Sequence, residues 1–135
     1  GQHELGLIVV DYLQIMKYDK SKEVSELGNI TRELKYLSKE LDIPVILLSQ
    51  LSRGVEYRGN KRPLMSDLRS SGEIEQDADV IMMCYRDEYY TKEASTEKGM
   101  AEIIIAKNRM GQSGFVQCKF EGDYSKFSDT ELDIW

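Results

Sequence analysis

Two short apolar runs on either side of an amphipathic segment constrain the fold of this chain most strongly. Residues 5–10 and 45–48 are rich in Leu, Ile and Val, which is typical of strands buried on both faces of a parallel sheet. Between these runs, residues 22–41 carry apolar side chains at every third or fourth position, which predicts a helix that ends before Pro44. A strand, a helix and a strand in this order predict a βαβ unit with parallel strands.

Polar residues follow both predicted strands: Asp11 comes after the first, and Ser49 and Gln50 come after the second. The carboxyl ends of parallel strands lie at one edge of a sheet, and open α/β sheets bind ligands at that edge. An aspartate in this place commonly holds the Mg²⁺ of a bound nucleoside triphosphate. Asp11 could instead cap the turn that follows, and the strand alone favours neither alternative.

The remaining residues predict a long polar loop followed by three more strands. The loop covers residues 51–72, and one helical turn is predicted for residues 73–77. Residues 78–85, 100–107 and 115–120 are the predicted strands, and a turn with two glycines joins the last two into an antiparallel hairpin. Residues 121–135 are acidic with sparse aromatic side chains, and no strand is predicted there. The fold class is therefore α/β, with a mostly parallel sheet and a C-terminal antiparallel hairpin.

Charge restricts how this chain could contact a nucleic acid. Its net charge of −6 argues against a surface that coats DNA, so any such contact must be local. Residues 53–69 are locally basic, with five basic residues against two acidic ones. No apolar run is long enough to cross a bilayer and no signal peptide is evident, so we expect a cytoplasmic protein without membrane contact.

Cysteine and histidine usage excludes several kinds of site. Cys84 and Cys118 lie far apart in apolar surroundings and are predicted to be buried free thiols in a reducing compartment. His3 is the only histidine, which excludes zinc sites built on histidine pairs and Ser-His-Asp catalysis within this chain.

Several motifs, in order over nearly all of the chain, resemble those of one family. They are LIVVDYLQ (residues 7–14), LSQLSR (48–53), KRPLMSDLR (61–69), SGEIEQDAD (71–79), YRDEYY (85–90) and IAKNRMG (105–111). They resemble the C-terminal RecA-like ATPase domain of DnaB-type replicative DNA helicases, from the Walker B motif onward. The resemblance implies a RecA-like P-loop NTPase core that uses ATP and Mg²⁺. It also implies a homo-hexameric ring that moves 5′-to-3′ on single-stranded DNA, with a primase and a helicase loader as candidate partners.

The chain departs from the family pattern in ways that bear on function. It has no Gly-x-x-x-x-Gly-Lys-Ser/Thr loop: Gly54 and Gly59 have the right spacing, but Asn60 follows. We therefore predict a single partial domain over residues 1–135 that lacks the Walker A segment, with an upstream portion missing. Such a chain is expected to be inactive on its own. Position 70 is serine where the family commonly has glutamate, and Gln112 and Ser113 replace a proline-containing turn.

The resemblance implies roles for two groups of residues. Asp11 would hold Mg²⁺ through water and Gln50 would sense the γ-phosphate, while Lys107 and Arg109 would reach a neighbouring subunit's nucleotide, Arg109 as an arginine finger. DNA phosphates would be contacted by two arginines and the backbone of a loop: Arg53, Arg69, Ser70, Ser71 and Gly72.

Each assignment has a plainer alternative. Gln50 could satisfy the end of a neighbouring strand, and an arginine in a turn is usually ordinary surface. The other basic residues of the loop are better explained as solvated side chains: Arg58, Lys61 and Arg62. Three tyrosines could stack on bases but are better explained by packing: Tyr85, Tyr89 and Tyr90.

Three functions are compatible with these patterns. The first is part of an ATP-dependent replicative helicase that unwinds duplex DNA at the fork. The second is a RecA-like recombination or repair ATPase, and the third is a non-catalytic, truncated helicase-like binding module. Residues 61–79 favour the helicase.

Overall fold

A computed structural model describes residues 4–16, 19–68 and 71–130. The chain divides into two compact units. The first unit comprises Gly1–Arg53 and Met65–Ala78, and the second comprises Gly54–Leu64 and Asp79–Trp135. Two predicted DNA-binding residues, Arg69 and Ser70, lie outside the described residues.

The first unit contains the predicted βαβ arrangement. Strand β1 is Ile8–Val10, helix α1 is Glu23–Leu41, strand β2 is Val45–Leu47 and a short helix α2 is Ser71–Asp77. The two strands pair in parallel, with Ile8 opposite Val45 and Val10 opposite Leu47. The prediction of parallel strands joined by an amphipathic helix is confirmed.

Close packing of α1 against α2 explains a glycine that would otherwise weaken α1. A Cβ atom on Gly28 would lie 2.7 Å from Cγ of Glu73, so the missing side chain lets the two helices approach. Nearby, Thr31 Oγ1 donates a hydrogen bond and lies 2.9 Å from the Gly28 carbonyl oxygen and 3.2 Å from Asp77 Oδ2. Thr31 and Gly28 are buried, and this contact attaches α2 to the βαβ unit.

An antiparallel sheet forms the second unit. Its strands are β3 (Val80–Tyr85), β4 (Met100–Asn108), β5 (Gly114–Glu121) and β6 (Lys126–Asp129), in that spatial order, and helix α3 is Asp87–Thr91. The predicted β4–β5 hairpin is confirmed. Strand β6 was not predicted, because its acidic sequence with sparse aromatic side chains has no strand-like alternation. It pairs with β5, and the rings of Phe120 and Phe127 meet edge to face with centroids 4.8 Å apart.

The predicted α/β class is confirmed, but antiparallel strands form a larger share of the described residues than expected. Only β1 and β2 pair in parallel there, whereas β3 to β6 are antiparallel throughout. The difference arises because β3 pairs with β4 and because β6 extends the hairpin. The predicted polar loop contains 3₁₀ turns at Arg53–Tyr57 and Met65–Asp67 and an isolated bridge between Leu51 and Leu68.

Two predictions about burial are wrong. Strands β1 and β2 are not buried on both faces, since Val9 is 56% exposed and Ile46 is 46% exposed. Cys84 is exposed and Cys118 only half-buried, although both are free thiols as predicted. The reason is the twofold periodicity of strands: alternate residues of β3 point to opposite faces, and Cys84 lies on the exposed one.

A membrane-spanning helix is not found in the part of the chain that the structure describes. None of the helices there is both long enough and apolar enough to cross a bilayer.

Candidate functional site

The structure places Asp11 and Gln50 at the same edge of the β1–β2 pair, as predicted. The Leu48 N–H donates to the Val10 carbonyl at 2.9 Å, so the two strands stay in register up to their carboxyl ends. Asp11 follows Val10 directly and Gln50 lies two residues beyond Leu48. Both Asp11 and Gln50 are exposed, and their side chains are accessible to a ligand at this edge.

A third residue at this edge, Gln14, was not predicted as part of the site. Its Nε2 donates to Ser49 Oγ at 2.9 Å, and its Oε1 accepts from the Gln50 N–H at 3.0 Å. Gln14 therefore links the turn after Asp11 to the end of β2. One available signal was a polar residue between the apolar residues Leu13 and Ile15.

The edge offers one carboxylate to a metal ion, which suits Mg²⁺ but not a metal that needs several protein ligands. Among the described residues there is no cluster of three or more His, Cys, Asp or Glu side chains that could hold a metal. Mg²⁺ usually keeps several waters and binds one or two carboxylates together with substrate phosphates. An exposed Asp11 fits that requirement. The Asp11–Tyr12 peptide bond is cis.

The predicted DNA-binding residues lie in the first unit where the structure describes them. Arg53 is exposed and begins the Arg53–Tyr57 turn. Ser71 begins α2, and Gly72 follows with open space where a Cβ would be. The Ser52 N–H donates to the Asp67 carbonyl at 2.7 Å, which joins the two ends of the intervening basic segment.

The other basic residues of that segment make contacts within the second unit, although the Arg62 side chain is still 47% exposed. Arg62 forms a two-point ion pair with Glu102, at 2.6 and 2.9 Å, and its guanidinium lies 4.7 Å from the centre of the Tyr85 ring. Glu102 raises the pKa of Arg62 through this hydrogen-bonded contact. Arg58 Nη2 donates to the Arg62 carbonyl, and Lys61 Nζ to two carbonyl oxygens of the same segment. These contacts favour a structural role for the three residues.

The tyrosine cluster of the second unit is mainly a packing feature. Tyr85 is buried, and its ring stacks on that of Tyr90 with centroids 6.0 Å apart. Tyr89 meets Tyr90 edge to face at 5.0 Å but is 57% exposed. The Tyr85 hydroxyl donates to Asp87 Oδ1 at 3.1 Å. Burial is the main cause that raises the pKa of Tyr85, and the hydrogen bond to Asp87 adds to it.

Lys107 and Arg109 lie at the end of β4 in the second unit. Lys107 is half-buried and pairs with Ile81, while Arg109 is exposed in the turn that follows. Arg109 Nη1 lies 2.9 Å from Asp79 Oδ1, and the Arg109 N–H donates to the Asp79 carbonyl, also at 2.9 Å. Asp79 is a second residue that sequence reasoning missed, although it stands at the end of one of the motifs.

Along the chain, a parallel βαβ unit with Asp11 and Gln50 beyond its strand ends precedes an antiparallel hairpin. The family model of the DnaB-like helicase C-terminal domain matches residues 1–129. This chain therefore belongs to the DnaB-like helicase C-terminal domain family.

Individual relatives agree with this assignment. The replicative DNA helicase DnaB of Geobacillus stearothermophilus is 53% identical over 133 residues, covering 94% of this chain and 28% of that protein. The replicative DNA helicase DnaC of Bacillus subtilis is 52% identical over 130 residues, with the same coverage of 94% and 28%. A solved DnaB-like replicative helicase, described with its interactions with primase, superposes with a TM-score of 0.86 at 47% identity and covers 93% of this chain and 30% of that one. This chain spans less than a third of the length of these relatives.

Proposed function

We propose that this chain is part of an ATP-dependent replicative DNA helicase, which translocates on single-stranded DNA and unwinds duplex DNA at the replication fork. The observation that supports the proposal most directly is the placement of Asp11 and Gln50 at one ligand-accessible strand edge. The relatives are replicative helicases, which favours this function over a recombination ATPase or a non-catalytic module.

Asp11 and Gln50 are proposed to act on the nucleotide from this edge. The exposed Asp11 carboxylate would hold Mg²⁺ through water, and the bound cation would supply positive charge that offsets the charge of the ATP phosphates. The Gln50 amide can donate a hydrogen bond to the γ-phosphate or orient the attacking water, as polar side chains do in related ATPases. Both roles require the side chain to be exposed, and both side chains are.

Lys107 and Arg109 are proposed to act on the nucleotide of a neighbouring subunit in a hexameric ring. A guanidinium binds carboxylates and phosphates through the same planar pair of donors. Arg109 can therefore exchange its contact with Asp79 for a contact with a phosphoryl group. Because the pair is half exposed, this exchange removes no deeply buried interaction.

Single-stranded DNA is proposed to bind through Arg53, Arg69 and the backbone near Ser70, Ser71 and Gly72. Contacts to phosphates carry no sequence information, which suits a motor that must move along any sequence. A net charge of −6 makes a broad electrostatic surface for DNA unfavourable, so a small set of local contacts is expected. A primase and a helicase loader are proposed as partners in the cytoplasm.

Hydrolysis by this chain alone is not expected. The chain contains no phosphate-loop motif, whose backbone N–H groups and lysine hold the β- and γ-phosphates in P-loop ATPases. A test of function therefore needs the phosphate loop in the same protein.

A chimeric helicase supplies that context: this chain replaces the matching segment of the Geobacillus stearothermophilus relative. We expect the chimera to hydrolyse ATP in the presence of single-stranded DNA and to unwind a forked duplex with a 5′ tail. Asp11→Asn should abolish both activities. The matched control is Asp42→Asn, which changes an exposed aspartate that precedes β2 and so lies at its opposite end. Normal hydrolysis by the Asp11→Asn chimera would contradict the proposal.

A further inference from the structure

Three hydrogen bonds join the turn after Asp11 to the end of β2. The Leu13 N–H donates to the Leu48 carbonyl at 2.8 Å, and Leu13 itself is fully buried. The Gln14 side chain adds the other two, to Ser49 Oγ at 2.9 Å and to the Gln50 N–H at 3.0 Å. The buried leucine fixes the turn, and the glutamine reaches from it to the next two residues of the neighbouring segment.

The primary amide of Gln14 is suited to this place because it offers a donor and an acceptor on one rigid group. Nε2 donates a hydrogen bond to the Ser49 hydroxyl oxygen, and Oε1 accepts one from the Gln50 N–H. Among the described residues, backbone hydrogen bonds between the two segments reach Leu48, and Leu51 then pairs with Leu68 in an isolated bridge. The Gln14 side chain thus stabilises Ser49 and Gln50, which lie between the backbone hydrogen bonds of Leu48 and the bridge of Leu51.

We propose that Gln14 is a positioning residue for hydrolysis: it fixes the Gln50 backbone relative to the turn that carries Asp11. The inference rests on the proposed ATPase function of Asp11 and Gln50. Both polar ends of the Gln14 amide bind Ser49 and Gln50, and through these contacts Gln14 acts on the position of Gln50. Loss of Gln14 should then slow the chemical step and leave nucleotide affinity nearly unchanged.

Hydrogen exchange tests the structural half of the proposal without requiring catalysis. In the chimera, Gln14→Leu removes both the donor and the acceptor of the side-chain amide. The backbone N–H of Gln50 should then exchange with solvent about 3- to 10-fold faster, which is the rate change expected from the loss of one neutral hydrogen bond. Gln14→Glu keeps an acceptor for the Gln50 N–H and can accept from the Ser49 hydroxyl, so exchange should stay near wild type. Mass spectrometry with residue-level fragmentation resolves this amide. Unchanged exchange in Gln14→Leu would overturn the positioning role.

Steady-state kinetics test the functional half. Gln14→Leu should lower kcat for ATP about 10- to 100-fold, the range expected when a catalytic group is misplaced, with KM changed less than about twofold. Gln14→Glu should restore most of kcat. The matched control is Gln117→Leu, at an exposed glutamine of β5 whose Nε2 donates to Glu97 Oε2, which should change neither parameter.

The outcomes separate this inference from the proposed function. An unchanged kcat in Gln14→Leu, or a rise in KM that accounts for the whole effect, would overturn the positioning role. A wild-type chimera that folds but hydrolyses no ATP would instead refute the proposed function, while the exchange measurement would still report whether Gln14 holds Gln50.

Discussion

Arg109 and Asp79 contact each other through an ion pair of 2.9 Å between Nη1 and Oδ1 and through a backbone hydrogen bond of 2.9 Å. Asp79 lies directly before β3 and Arg109 directly after β4, so the contact closes the end of that strand pair. The side chains are 49% and 50% exposed. The pair therefore orients the guanidinium and leaves it accessible to another anion.

Replacing Asp79 by Asn should cost little stability, because the ion pair is half exposed. We expect the free energy of unfolding to fall by less than about 1 kcal/mol, measured by urea denaturation. Hydrolysis by the chimera should fall less for Asp79→Asn than for Arg109→Ala, since the guanidinium is retained. A stability loss of several kcal/mol would show that Asp79 supports the fold and not mainly the arginine.

The contact between Gly28 and Glu73 predicts a coupling between α1 and α2. Gly28→Ala alone gains helix propensity but forces Glu73 to move, because the new Cβ would lie 2.7 Å from Cγ. A Glu73→Ala background removes the Cγ contact but keeps the Cβ, which would lie 3.1 Å from the new Cβ. The same change should therefore be less destabilising there than in the wild type, and it should gain at most about 1 kcal/mol of helix propensity. Denaturant unfolding of the four proteins gives the coupling free energy. If the effects of the two substitutions on the free energy of unfolding are additive, the close contact between Gly28 of α1 and Glu73 of α2 is contradicted.

The hydrogen-bonded carboxylate of Asp87 should make the free energy of unfolding depend on pH. Its carboxylate accepts hydrogen bonds from Ser95 Oγ at 2.7 Å and Thr91 Oγ1 at 2.8 Å, which lower its pKa below the ordinary value of 3.8. A lowered pKa stabilises the fold above that ordinary value, and the contribution is lost as the pH falls toward the lowered pKa. Asp87→Ala should therefore destabilise the protein more at pH 7 than at about pH 2. Ser95→Ala should reproduce part of the effect, and an equal loss at both pH values would contradict it.

Arg53 is expected to contact DNA phosphates, and Arg58 provides a matched control. Arg53→Ala in the chimera should weaken binding to single strands of any sequence and reduce the slope of log K against log salt by about 0.7. Arg58 donates to the carbonyls of Asn60 and Arg62, so Arg58→Ala should leave the slope unchanged. Fluorescence anisotropy at several salt concentrations measures both. A sequence-dependent loss for Arg53→Ala would indicate base recognition instead.

Local patterns in the sequence were sufficient to predict much of this structure. The apolar periodicity of residues 22–41 predicted α1, and the two runs beside it predicted the parallel pair. Parallel pairing in turn placed Asp11 and Gln50 at one edge, because topology alone brings the two strand ends together.

The features that were missed depend on contacts between residues far apart in the chain. Gln14 and Gln50 are 36 positions apart, and Arg109 and Asp79 are 30 apart. No local pattern specifies such pairs. Strand β6 was missed for the same reason, since its pairing depends on β5 and on the contact of Phe127 with Phe120. The exposure of Cys84 depends on which face of β3 is covered.

The central claim is that Asp11 and Arg109 serve one hydrolysis site shared between neighbouring subunits of a ring. In the chimera, Arg109→Ala should cut hydrolysis about 10³-fold or more, typical of an arginine finger, while ring assembly and nucleotide binding remain. Asp11→Asn rings should also be inactive. Arg32→Ala, at an exposed arginine of α1, should behave as wild type and serves as the control.

Mixing the two inactive proteins tests this claim most directly. An Arg109→Ala subunit with an intact Asp11, placed beside an Asp11→Asn subunit with an intact Arg109, should form a working site, so mixed rings should regain hydrolysis. Native mass spectrometry confirms that mixed rings form, and wild-type subunits diluted into either variant show that such rings can work. Recovered hydrolysis in the mixed rings is the predicted result. Confirmed mixed rings that stay inactive, while both dilution controls remain active, would contradict the shared site.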